Sequence, residues 1–171
     1  MPSYADLINK AKKDFKCETL MSGNTANTIP KIPLSAPFMN YALYGGIPRG
    51  RMTEFFGEPG SGKSTTAVDA CKNAAKIFKQ DFEVEKQELR KKIATGTKSA
   101  QIELQAVEER GPRKVLYVDI EHGFDRAWSE KIGINPEEVD VMQPPNIAAE
   151  DLLQLISDVI ETGDVGLVVL D

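Results

Sequence analysis

Along residues 4–16 the apolar positions Ala5, Ile8, Ala11 and Phe15 fall on one side of a 3.6-residue turn and lysines fill the other, which predicts a short amphipathic helix. Residues 22–33, SGNTANTIPKIP, are turn formers and prolines and predict an extended linker, so the core is expected to begin near Leu34. An apolar run at residues 52–56 leads into glycines and then into residues 65–78, where Ala67, Ala70, Cys71, Ala74, Ala75 and Phe78 recur at helical spacing. That order is strand, glycine loop, helix. β-Branched or alternating runs predict further strands at 115–120, 139–142 and 167–170. Leu152, Leu153, Ile156 and Ile160 mark a helix between the last two that stops at Thr162 and Gly163. Strands alternating with helices predict an α/β fold, a parallel sheet with helices on both faces.

One stretch interrupts this rhythm. Residues 80–110 are strongly charged yet keep Phe82, Leu89 and Ile93, then Ile102 and Ala106, at helical spacing on either side of Thr95-Gly96-Thr97. They predict a helical hairpin inserted before the second strand and closed by Gly111 and Pro112. Its simplest reading is a solvated helix pair; the Arg90-Lys91-Lys92 run also leaves open a docking surface for a partner or for DNA.

Composition narrows the classes. The 171 residues, at the usual ~100 to 200 per domain, allow one core and a small appendage. Hydrophobic residues at 41% and charged residues at 27% are an ordinary globular balance, and the formal net charge of −5 is not that of a general polyanion binder. The N-terminus lacks the apolar core of a signal peptide and no run is long enough to cross a bilayer, so the expectation is a soluble, cytoplasmic protein without a membrane partner. Cys17 and Cys71 have no CxxC or Cys/His company, which speaks against a zinc site or disulfide framework, and Cys71 is expected in the core.

Chemistry concentrates in three places. Gly57-Glu58-Pro59-Gly60-Ser61-Gly62-Lys63-Ser64 fits the phosphate-loop (Walker A) pattern, between a predicted strand and a predicted helix. Backbone N–H groups and the helix dipole would converge on a triphosphate there, Lys63 would reach the β- and γ-phosphates, and Ser64 would hold Mg²⁺. Thr65, the next residue, completes the expected binding set. Leu167-Val168-Val169-Leu170-Asp171 has the form of the second nucleotide-binding motif, with Asp171 a second Mg²⁺ residue. At the end of the 115–120 strand, Glu121 is placed to polarise a water for attack on the γ-phosphate, and His122, the only histidine, is read as structural.

With these motifs the sequence resembles bacterial RecA-type recombinases and their phage-encoded relatives. The resemblance runs from Leu34-Ser35-Ala36-Pro37-Phe38-Met39-Asn40 through Gly45-Gly46-Ile47-Pro48-Arg49-Gly50 into the phosphate loop. It resumes at Tyr117-Val118-Asp119-Ile120-Glu121-His122-Gly123-Phe124-Asp125, Lys131-Ile132-Gly133-Ile134, Gln143-Pro144 and the strand to Asp171. It implies a RecA-like P-loop NTPase core over residues 34–171, ATP and Mg²⁺ as cofactors, Glu121 and Lys63 as catalytic residues, and Asp125 and Trp128 as adenine-holding residues. It also implies that residues 1–33, with a strand near 17–21, link protomers into a filament on single-stranded DNA. The inserted hairpin, Trp128 in place of tyrosine and Arg126 in place of proline depart from the family pattern. In relatives the DNA-binding loops, a sensor glutamine and further strands lie beyond the position of Asp171. The resemblance therefore implies an N-terminal portion, truncated after the Walker B strand, with a gap in its sheet. A RecA-fold repair or helicase-type ring ATPase and a non-hydrolysing nucleotide-binding assembly module are the competing readings.

Overall fold

The computed structural model describes residues 3–14, 29–97, 99–145 and 147–171, and divides into two compact units, Met1–Pro30 and Lys31–Asp171. In the first, α1 (Tyr4–Asp14) starts at Ser3, whose backbone N–H and hydroxyl donate to Asp6 Oδ2 at 2.9 and 2.7 Å while its oxygen accepts the Asp6 N–H at 3.2 Å. This reciprocal capping satisfies donors that a helix start leaves unpaired. The expected end of the helix at residue 16, the strand near 17–21 and most of the linker lie outside the described residues.

The second unit opens with a small ribbon. β1 (Lys31–Ile32) precedes α2 (Pro37–Ala42) and pairs antiparallel with β2 (Ile47–Pro48). The chain approaches itself so closely here that a Cβ at Gly46, φ +124°, would stand 2.2 Å from the Ile32 carbonyl oxygen. Asn40 of α2 clasps Leu34 from both sides, Oδ1 accepting its N–H at 2.7 Å and Nδ2 donating to its carbonyl at 2.6 Å. Ile32 and Leu34 are both buried, so the core includes a residue ahead of its expected start.

After β2 come α3 (Lys63–Ala94), α4 (Ser99–Arg110), β3 (Lys114–Val118), α5 (Arg126–Ile132), β4 (Val139–Met142), α6 (Ala149–Glu161) and β5 (Val165–Leu170). The last three strands form one parallel sheet in the order β4-β3-β5. α3 lies on this sheet through the small residues Ala67, Ala70, Cys71, Ala74 and Ala75, with Phe78 at the end of the row, all buried with Val115, Tyr117 and Val139. Cys71 is fully enclosed, and burial pushes its thiol up to about 12. Asp69, on the same helix, accepts the Ser35 N–H at 2.6 Å and an ion pair from Lys72, which also reaches the Ser35 hydroxyl at 2.8 Å. That network ties the ribbon to the helix.

Three expectations are corrected. Residues 52–56 form no strand: Met52 and Phe56 are 98% and 89% exposed, and no described strand lies beside them to pair with their backbone. The inserted hairpin has no break from the preceding helix, because α3 runs 32 residues, about 48 Å, from Lys63 to Ala94 without interruption. α4 then turns back after Thr95-Gly96-Thr97 and presents Ala100, Leu104 and Val107 to Phe82, Leu89 and Ile93, so Ile102 and Ala106 face outward instead. Ion pairs Arg110–Glu85 (2.7 Å) and Arg90–Glu108 (3.3 Å) cross the hairpin, and Arg49–Asp81 (2.7 Å) joins its root to the core.

Packing of α3 on β5 is closest at Gly166, where an added Cβ would lie 2.5 Å from the ring tip of buried Phe78. Gly166→Ala is expected to destabilise the fold by about 1 to 3 kcal/mol through overpacking, with a smaller effect in a Phe78→Leu background. Denaturant titration of the two single variants and the double variant checks this; equal costs in both backgrounds would rule out the contact as the cause.

Candidate functional site

Between residue 56 and α3 the glycine-rich segment turns on itself. The Ser61 N–H donates to the Glu58 carbonyl at 3.1 Å, and Gly60 and Gly62 take φ of +78° and +91°, a region that disfavours any side chain. Gly62 is the N-cap of α3, so the helix presents its unpaired N–H groups and positive dipole end to the loop. Lys63 bends back over the loop, its Nζ donating to the carbonyls of Gly57 at 3.1 Å and Glu58 at 3.2 Å. Glu58, Pro59, Ser61, Ser64 and Thr65 are exposed around the same turn.

Across from it the strand ends of β3 and β5 supply carboxylates. Asp171 directly follows β5 and is fixed by its backbone: its N–H donates to Val118 O at 2.9 Å and its carbonyl accepts the Ile120 N–H at 2.8 Å. Its Oδ1 accepts the Ser64 hydroxyl at 3.1 Å, joining residues 107 positions apart, and its Oδ2 accepts the hydroxyl of Tyr117 from β3. Burial, then the Asp171 hydrogen bond and charge, push the Tyr117 phenol well above its ordinary range, so the tyrosine is the donor. Ser64 Oγ and Asp171 Oδ1 are hard oxygen donors separated by nearly the distance of adjacent corners of a Mg²⁺ octahedron, about 2.9 Å for 2.0 to 2.1 Å ligand distances. No cluster of three or more His, Cys, Asp or Glu suited to a metal occurs among the described residues.

The β3 end carries a tight turn. Asp119 is 1% exposed and accepts N–H groups from Gly123 at 3.0 Å and Phe124 at 2.9 Å and the side-chain amide of Gln143, just past β4, at 2.7 Å. Burial alone would raise its carboxyl, but these hydrogen bonds, with the charge of His122, hold it below the ordinary 3.8. The turn puts His122 at φ +54° and leaves Glu121 exposed one residue beyond the Ile120–Asp171 bridge. Past the turn Asp125 caps α5, its Oδ1 accepting the Trp128 N–H at 3.0 Å, and Trp128 stands 51% exposed on the first turn of that helix. Lys63, Ser64 and Asp171 thus meet at one junction with Glu121 next to it along the chain, whereas Asp125 caps the helix that carries Trp128 and neither has a described hydrogen bond to the glycine-rich loop.

No family model matches the chain. Curated proteins do. Protein RecA of Porphyromonas gingivalis is 30% identical over 152 residues, 88% of this chain and 34% of the relative. Protein RecA of Desulfotalea psychrophila is 29% identical over 172 residues, 99% of this chain and 38% of the relative, and that of Streptomyces coelicolor 28% over 152 residues, 88% and 31%. Over most of its length the chain is similar to these RecA proteins. It spans about a third of the length of the curated relatives it matches.

Three polar groups at the junction escaped the motif reading: Tyr117, Asp119 and Gln143. Their sequence signal is slight. Asp119 is a charge at the close of an apolar strand, and Gln143 gives no hint of its partner until β3 and β4 are set in register. Asp119→Asn leaves one acceptor oxygen where three donors converge. It should cost about 1.5 to 3 kcal/mol at neutral pH, the range for hydrogen bonds to a charged group. Because the folded carboxyl lies below 3.8, its contribution is complete above that value and lost as pH falls through the folded one. Melting curves should therefore separate the two proteins at pH 7 and converge in acid; a constant gap down to the lowest pH would contradict this role.

Proposed function

We propose that this chain is the nucleotide-hydrolysing part of a recombinase that binds ATP with Mg²⁺ and acts on single-stranded DNA as a filament. The observation that carries it is the Ser64–Asp171 hydrogen bond, which unites a phosphate-loop pattern and a second carboxylate motif from opposite ends of the core. Similarity to RecA proteins supports the DNA half, with residues 1–33 as the protomer link and 34–171 as a RecA-like P-loop core. Among the described residues no helix is long and apolar enough to cross a membrane.

On this reading each side chain has a task. Lys63, already poised over the loop, exchanges its two carbonyl contacts for β- and γ-phosphate oxygens, and residues 57–65, Pro59 excepted, offer backbone N–H groups to the triphosphate. Ser64 and Asp171 hold Mg²⁺, which would offset phosphate charge when bound. Glu121 orients a water and takes its proton as the water attacks the γ-phosphate. Trp128 offers its face to adenine, with Asp125 at the base edge. The ring-ATPase and non-hydrolysing readings share the loop and differ in assembly and turnover.

Two variants separate binding from chemistry. Lys63→Ala removes a charge-assisted contact of about 1.5 to 3 kcal/mol and should weaken binding of a fluorescent ATP analogue at least about tenfold. An unchanged dissociation constant would discard the phosphate-loop assignment. Glu121→Gln should hold that constant within a few-fold while slowing single-turnover ATP hydrolysis by roughly 10² or more. Parental hydrolysis in this variant would make Glu121 structural, and no hydrolysis in the unaltered protein with single-stranded DNA would favour the non-hydrolysing module.

A further inference from the structure

We infer that Tyr117 is a positioning residue for the cation site, fixing the carboxylate of Asp171 so that one oxygen, Oδ1, is presented beside Ser64. This deepens the function proposed above and rests on it. The phenol is 1% exposed, and its ring is held in the core under α3 and against Phe124, centroids 5.0 Å apart and planes at 59°. From that fixed base its hydroxyl donates to Asp171 Oδ2, while Oδ1 accepts from Ser64 Oγ at 3.1 Å. The two oxygens of Asp171 therefore have different partners, one rigid and buried, the other exposed and exchangeable. Asp171 is the residue just past β5, where backbone bonds to Val118 and Ile120 hold the main chain but leave the carboxylate free to turn about its own bond. The Tyr117 bond removes that rotation. A Mg²⁺ ion, which needs near-ideal octahedral geometry, gains from a carboxylate already oriented for single-oxygen contact. Hydrogen-bond partners of a ligating carboxylate typically matter 10 to 100-fold in metal affinity.

Tyr117→Phe removes the hydroxyl and keeps the ring. In the intact protein, the Mg²⁺ concentration giving half-maximal binding of a fluorescent ATP analogue should rise about tenfold or more, while binding measured in excess EDTA stays unchanged. Phe124→Ala loosens the same aromatic pair without touching the hydroxyl. It should lower the melting temperature and leave the Mg²⁺ midpoint in place. An unmoved midpoint in Tyr117→Phe overturns the inference, as does an equal shift in both variants, which would make packing the cause. Lys63→Ala distinguishes the two levels. If it abolishes analogue binding while Tyr117→Phe shifts nothing, only the tyrosine's role falls; if it binds as the parent does, the nucleotide site itself falls and the inference with it.

Discussion

The constraint on which everything else depends is how closely α3 lies on its sheet. A helix that starts in a phosphate loop has to bring its first turn over the strand ends, and a row of bulky side chains would lift it away. Ala67, Ala70, Cys71, Ala74 and Ala75 let the backbone come down onto β3 and β5, and Gly166 leaves room for the Phe78 ring at the far end. At this separation Ser64 reaches Asp171. The apolar contact thus bears on a polar distance, and Tyr117, buried in the core with its hydroxyl on Asp171, belongs to both.

Much of this was legible along the chain because periodicity reports burial. The small-residue stripe of α3 and the three parallel strands are each buried on a face that the sequence marks with its own period. Residues 52–56 mislead for the same reason: an apolar run records a tendency to be covered and paired, and a strand exists only where a neighbour supplies donors and acceptors. Ile102 misleads differently. On a short, highly charged helix, Ala100 and Val107 fit the tight approach to Leu89, and the larger Ile102 is left outside. Motif spacing brought out Lys63, Ser64, Glu121 and Asp171, but Tyr117 pairs with Asp171 past β5, and Gln143 past β4 pairs with Asp119. Their pairing depends on register, which no linear pattern records.

The continuous α3 changes what the hairpin can be. Had the insertion begun with a flexible break, it would be an appendage tethered to the core. Instead the helix whose first turn holds Lys63 and Ser64 is the one whose last turns pack against α4. The hairpin's small apolar seam is supplemented by ion pairs, and such exposed pairs contribute little each. Its direction is therefore set mostly by helical continuity and by Arg49, which pairs with Asp81 and stacks over Phe78 with 5.3 Å from guanidinium to ring centroid. Arg49 sits on the turn after β2, so these contacts join the root of the hairpin to the ribbon.

Charge at the junction explains why nucleotide and cation would have to arrive together. Asp171, Glu121 and Asp119 gather at the ends of two adjacent parallel strands, and the helix dipole and Lys63 are the opposing positive elements. Asp119 is already neutralised in effect by three donors, whereas the Oδ1 of Asp171 has only the weak dipole of a serine hydroxyl. A triphosphate laid in the loop on the proposed reading would face that oxygen at short range, and like charges so placed repel strongly in a partly desolvated cleft. On the same reading Asp171 and Ser64 would hold a divalent ion, whose charge would offset that repulsion. The same carboxylate that opposes bare nucleotide would then favour its Mg²⁺ complex, making the site selective for the metal-bound form by electrostatics alone.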